Sequence, residues 1–135
     1  MTKPLLVRNY ESKAAWKGPS LSKTDDWTYN LNASDIREIN QALSYVKSKN
    51  LKVPNFSKKD FPLPCLSNIL TQILEELEHG HGIKLIRGIP VENLKVDDAL
   101  IIYWGLCSYL GKAVAQNMMG ELLGHVKAVG NNWNK

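Results

Sequence analysis

The side chains able to do chemistry are few and widely spaced. The chain has three histidines, His79, His81 and His125, and two cysteines, Cys65 and Cys107. His79-x-His81 sets two imidazoles either side of Gly80, a weak chelating pair, but no third ligand stands near it in sequence. A helix end followed by a glycine turn explains the pair more simply, because the partial positive character of histidine suits a helix C-terminus. Asp97-Asp98 is a pair of carboxylates at a helix start, where the dipole favours acids without any catalytic role. Arg87 falls on an expected strand and reads as an ion-pair partner rather than a substrate clamp. There is no CxxC, no zinc spacing, no glycine-rich phosphate loop and no GxSxG. The two cysteines read as reduced, partly buried thiols.

Those residues must be held by a regular framework. Ile36, Ile39, Leu43 and Val46 recur at helical steps and predict a helix over 34–49. Asn32 or Ser34 caps it, Asp35 and Glu38 complement the dipole of its first turn, and Asn50 is its stop. Pro54, Pro62 and Pro64 make 50–65 a connector, pinned by Phe61-Pro62-Leu63-Pro64. Leu66, Ile69, Leu70, Ile73, Leu74 and Leu77 predict a second helix over 66–79, with Gly80 just past its end. Glu75, Glu76 and Glu78 oppose the dipole there, at a cost of a few tenths of a kcal/mol each.

Residues 83–89 read as a strand with Ile83, Leu85 and Arg87 on one side and Lys84, Ile86 and Gly88 on the other. A third helix follows over 96–110, with Lys95 at a cap position that lacks a capping side chain. Residues 122–129 read as another strand, so 80–126 has a strand, crossover helix, strand order. The tail 131–135 has no pattern. Residues 1–30 read as a loop-like, extended N-terminal arm fastened by Trp16 and Trp27, because two large apolar rings need partners. The expected organisation is this arm followed by one α/β domain over 31–135.

Composition limits the classes. A chain of 135 residues, 44% hydrophobic and 22% charged, is one ordinary folded domain rather than a disordered segment. No apolar run reaches the ~18 residues of a membrane span, and the start lacks a signal-peptide core, so cytoplasm is the expected compartment. The net charge of +4 is concentrated at Lys47, Lys49, Lys52, Lys58 and Lys59. A nucleic-acid contact would use that cluster, but arginine is scarce and only Phe56 interleaves the lysines, so a solvated face is the better reading.

Read in order, Gly80-His81-Gly82, Leu85-Ile86-Arg87-Gly88-Ile89-Pro90-Val91, Tyr103-Trp104-Gly105, Leu110-Gly111 and Gln116-Asn117 resemble the opening of the TauD/TfdA (taurine dioxygenase-like) family. The Trp…Trp-Thr-Tyr pattern near the start and Phe61-Pro62-Leu63-Pro64 extend the likeness over roughly 16–129. The resemblance implies the N-terminal helices and first strands of a double-stranded β-helix (jelly-roll, clavaminate synthase-like) fold, here incomplete. It implies an oxidoreductase that uses Fe(II) and 2-oxoglutarate to hydroxylate a small molecule. Such an iron takes two histidines and one carboxylate and leaves three positions open.

In that family the first two ligands are His-x-Asp or His-x-Glu, and a later histidine has an arginine near it. None of His79, His81 and His125 has an acid two positions on, and no arginine follows Arg87. No catalytic or metal residue carries over, and no cofactor is expected on this chain alone. Gln116 and Asn117 match positions beside the family's substrate pocket; turn and strand-edge hydrogen bonding explains them equally well. The expected function is thus the N-terminal portion of such an oxygenase, truncated and inactive by itself. The alternatives are a module that docks on a full-length relative and, third, a basic nucleic-acid binder.

Overall fold

Asn32 begins the first long helix by closing a capping box. Its Oδ1 accepts from the backbone N–H of Ser34 at 2.8 Å and of Asp35 at 3.0 Å, and its own N–H donates to Asp35 Oδ2 at 3.0 Å. In the computed structural model, which describes residues 11–128 and 130, six elements follow in order. They are α1 (Gly18–Leu21), β1 (Thr28–Asn30), α2 (Ala33–Ser48), α3 (Leu66–His79), β2 (Leu85–Arg87) and α4 (Val96–Leu110). No helix among them is long and apolar enough to cross a membrane.

Asn50 stops α2 as the sequence indicates. It takes φ +53°, a left-handed conformation that asparagine tolerates. Its N–H donates to Lys47 O at 3.0 Å and the Leu51 N–H to Val46 O at 3.1 Å, the paired bonds of a Schellman end. The bounds of α3 and α4 are those the periodicity predicts, and Lys95 indeed caps α4 without a side-chain bond.

The core lies between α2, α3, α4 and the connector. Ile39, Val46, Phe61, Leu66, Leu70 and Ile102 are fully buried in it. Phe61 lies under Gly105, where an added Cβ would collide with its ring. The connector is held by donors from α4. Trp104 Nε1 donates to Phe56 O at 2.9 Å, and Tyr109 Oη donates to Phe61 O at 2.8 Å and accepts from the Leu63 N–H at 3.2 Å. Phe56 is itself buried, so the ring between the lysines packs inward and is not a stacking platform.

The strands depart from the expected plan. The fold is mixed helix and strand, but β2 pairs in parallel with β1, in the register Thr28↔Leu85, Tyr29↔Ile86, Asn30↔Arg87. The crossover is therefore the α2–α3 pair, and the partner strand comes from the end of the expected arm. Leu122–Ala128 is not a strand, and Val129 lies outside the described residues. A strand exists only where another chain segment meets its N–H and C=O groups. The expected strand over 83–89 shortens to three residues for the same reason, and Gly88, at φ +95°, turns the chain away. The predicted alternation survives: Ile86 packs on the core while Leu85 and Arg87 are exposed.

Candidate functional site

The last turn of α3 and the turn after it gather a polar network. The Glu76 carboxylate folds back under Gly80, where any side chain would strike it. Glu76 Oε1 accepts from the His81 backbone N–H at 3.1 Å and lies 2.9 Å from His81 Nδ1. The N–H bond first, and the imidazole second, hold the Glu76 carboxyl below its ordinary pKa. Glu76 thus spans the turn instead of merely opposing the dipole. The arm docks here: Trp16 Nε1 donates to His81 O at 2.9 Å. Trp27 Nε1 donates to Thr24 O at 2.8 Å and to Leu21 O at 3.2 Å, so it folds its own loop. Lys84 Nζ donates to Asp26 O at 2.6 Å and fastens that loop to the body.

Beside this network lies a cleft of about 270 Å³ between α3 and β1, lined by Asp26, Tyr29, Ile69, Gln72, Ile73, Glu76 and Lys84. Its floor is aliphatic and its rim carries both charges. Asp26 is held below its ordinary pKa by the Thr24 hydroxyl, which donates to it at 2.6 Å. Burial, and then its bond to Asp35, raises the Tyr29 phenol, which donates to Asp35 Oδ2 at 2.9 Å. The phenol therefore acts as a hydrogen-bond donor, not as a base. Its lining holds no nucleophile paired with a base.

The residues singled out from sequence are not brought together. Gln116 and Asn117 lie in an exposed turn far along the chain from the cleft residues. The Gln116 N–H donates to Glu121 O at 2.7 Å and its Nε2 to Val114 O at 3.0 Å. Asn117 Oδ1 accepts from the Met119 N–H at 3.0 Å and the Glu121 N–H at 3.2 Å. His79 lies 3.8 Å from both Glu75 and Glu78 on an exposed face. Among the described residues no three of His, Cys, Asp and Glu group to hold a metal. Arg87, expected in an ion pair, is exposed and makes none among the described residues. Asp98 meets Lys47 at 2.8 Å, which removes one member of the lysine cluster.

Sequence reasoning missed Glu38. It was read as a dipole partner of its own helix, but it is buried and caps the next one. Its Oε2 accepts from the Leu66 N–H at 3.0 Å and the Cys65 N–H at 3.1 Å, so α2 supplies the N-cap that Cys65 lacks. The signal was an acid set one residue before Ile39 in the apolar stripe. Cys65 is exposed rather than partly buried: it stands at the N-cap of α3, and the next residue, Leu66, takes the buried position. Glu38 beside it raises the thiol's pKa, which makes it a poor nucleophile. Cys107 is half-buried and free, and burial raises its pKa too.

FR-33289 synthase of Streptomyces rubellomurinus (strain ATCC 31215) is 29% identical to the chain over 126 residues. The match takes in 93% of this chain and 37% of the synthase, so the chain spans little more than a third of that relative. No protein-family model matches.

Proposed function

We propose that this chain is the helical N-terminal part of a TauD/TfdA-like, Fe(II)- and 2-oxoglutarate-dependent oxygenase, inactive by itself. The observation that carries the reading is the similarity to FR-33289 synthase, which runs through nearly the whole chain and so includes the ordered motifs from Gly80 to Asn117. The mixed helix and strand framework is compatible with it. In this reading residues 1–30 are an arm, and 31–135 contribute helical scaffold and the first strands of a jelly roll. Gln116 and Asn117 supply one polar wall of the substrate pocket.

The described residues do not fit an iron centre. His81 is committed to Glu76, His79 faces Glu75 and Glu78, and no acid stands two positions after any histidine. No catalytic step is assigned to them. The reaction class, oxidation of a small molecule coupled to decarboxylation of 2-oxoglutarate to succinate, belongs to the complete oxygenase.

Two measurements test the reading. Purified chain given Fe(II) and 2-oxoglutarate should release no more succinate than a metal-free control; metal-dependent release would overturn the inactive part. The native transcript, read beyond the Lys135 codon, should continue into His-x-Asp and a later histidine with an arginine nearby. A long open frame lacking them would overturn the family.

A further inference from the structure

The arm is fastened to the body at two places, and the two differ in kind. Its end is held firmly. Lys84 Nζ donates to Asp26 O at 2.6 Å, the Leu85 N–H donates to Trp27 O at 2.8 Å, and β1 then pairs with β2. Its earlier part is held lightly. Residues 11–20 are exposed throughout. Among the described residues, the hydrogen bond from Trp16 Nε1 to His81 O is the one that ties 11–22 to anything beyond the arm. Ala14 adds a contact by standing against Gly82. The turn that receives Trp16 is built on Glu76. Glu76 O accepts from the N–H groups of Gly80 at 2.9 Å and Gly82 at 3.3 Å. The Glu76 carboxylate fills the space under Gly80, accepts from the His81 N–H and meets the His81 ring. His81 therefore has its N–H on Glu76 and its C=O on Trp16.

We propose that residues 11–22 form a detachable strap whose catch is the Glu76 carboxylate, closed while Glu76 is ionised and released in acid, while Asp26 and Trp27 stay fastened. A hydrogen bond to a charged group is roughly twice as strong as a neutral one. Protonating Glu76 therefore weakens its hold on the His81 N–H and on the His81 ring together. A surface segment with a single bond to the body opens at little cost, so a change of this kind tips it. The groups that face Glu76 favour the closed form at neutral pH. His81 from the turn and Lys84 just before β2 both favour the ionised carboxylate. Asp26 of the arm and Tyr29 of β1 line the same cleft, and Tyr29 is committed to Asp35. The sign follows from the depressed pKa of Glu76: the catch is complete above the ordinary carboxylate range and is lost as pH falls through the depressed value. Glu76 also lines the cleft, so release frees that wall while Asp26 and Lys84 keep the opposite fastening. Nothing in this device depends on the oxygenase reading.

The indole N–H resonances of the full chain test this, followed by nuclear magnetic resonance from neutral pH down through the carboxylate range. Trp16 is assigned by its loss in Trp16→Phe. Its resonance should move to the position of a free indole with a midpoint below the ordinary carboxylate pKa. Trp27, bonded to Thr24 O, and Trp104, bonded to Phe56 O, serve as internal references and should stay in place over the same range. Far-UV circular dichroism should be unchanged there. Glu76→Gln keeps the shape and removes the charge, so its Trp16 resonance should sit nearer the free position at neutral pH and should not titrate. His81→Ala keeps the backbone N–H and removes the ring, so its midpoint should move to higher pH. A Trp16 resonance that stays fixed in acid, one that moves only together with Trp27 and Trp104, a titration that persists in Glu76→Gln, or a midpoint in His81→Ala that is unmoved or lower would each overturn the proposal.

Discussion

Two of the irregular stretches among the described residues behave in opposite ways. The connector over 51–65 runs through the core, with Phe56, Phe61 and Leu63 buried and its carbonyls taken by Trp104 and Tyr109. The segment over 111–128 stays outside, with Val114, Met118, Met119 and Val126 exposed and its bonds confined to its own turn. Both contain large apolar side chains, so composition does not separate them. The difference is partnership. An irregular segment has no ladder of its own and becomes ordered when side chains from another element satisfy its backbone groups. Helix α4 does that for the connector, and α2 does it through Glu38 where the connector enters α3.

The contrast can be broken most severely at Phe61. Phe61→Ala empties the centre of the connector's packing and should cost about 3–5 kcal/mol in urea unfolding. A loss under 1 kcal/mol would mean the connector is not part of the core. Glu38→Ala comes next, at about 2–3 kcal/mol, because it strands two buried-side donors at the start of α3. Glu38→Gln keeps an acceptor and should cost visibly less; equal losses would assign the effect to packing. Gly105→Ala pushes a methyl into the Phe61 ring and should cost about 1–3 kcal/mol, while an unchanged melting curve would show that the ring yields freely.

A smaller effect concerns the arm. Glu76 has a folded pKa below its unfolded one, so its contribution is complete above the ordinary carboxylate range. That contribution is lost as pH falls through the depressed value. The amide resonance of His81 should therefore shift at acid pH in the wild type and not in Glu76→Gln. Tryptic cleavage after Lys17 should speed up in that variant at neutral pH if the Glu76 bridge holds Trp16 in place. Smallest of all, Met118→Ser with Met119→Ser should alter stability by no more than about 0.5 kcal/mol. A larger loss would show that the outer segment is held as firmly as the connector.

Much of the framework was legible because it is local. The limits of α3 and α4, the Asn32 cap and the Asn50 stop each depend on residues within a turn of one another. The candidate site was hardly legible. The cleft joins Asp26 and Tyr29 to Gln72, Glu76 and Lys84, which are more than forty residues distant and share no pattern. Glu38 was misread because its partners sit 27 and 28 residues away.

Where α2, α3 and α4 begin and end, and the stripes that α2 and α3 bury, were determined by the sequence alone, through periods and caps that act within a few residues. Tertiary structure decided which segment became the partner of β2 and which irregular stretch was taken into the core. Each of those outcomes depends on what else occupies the space across from a backbone group or a side chain. A strand and a buried loop are properties of pairs of segments, and no single segment encodes them.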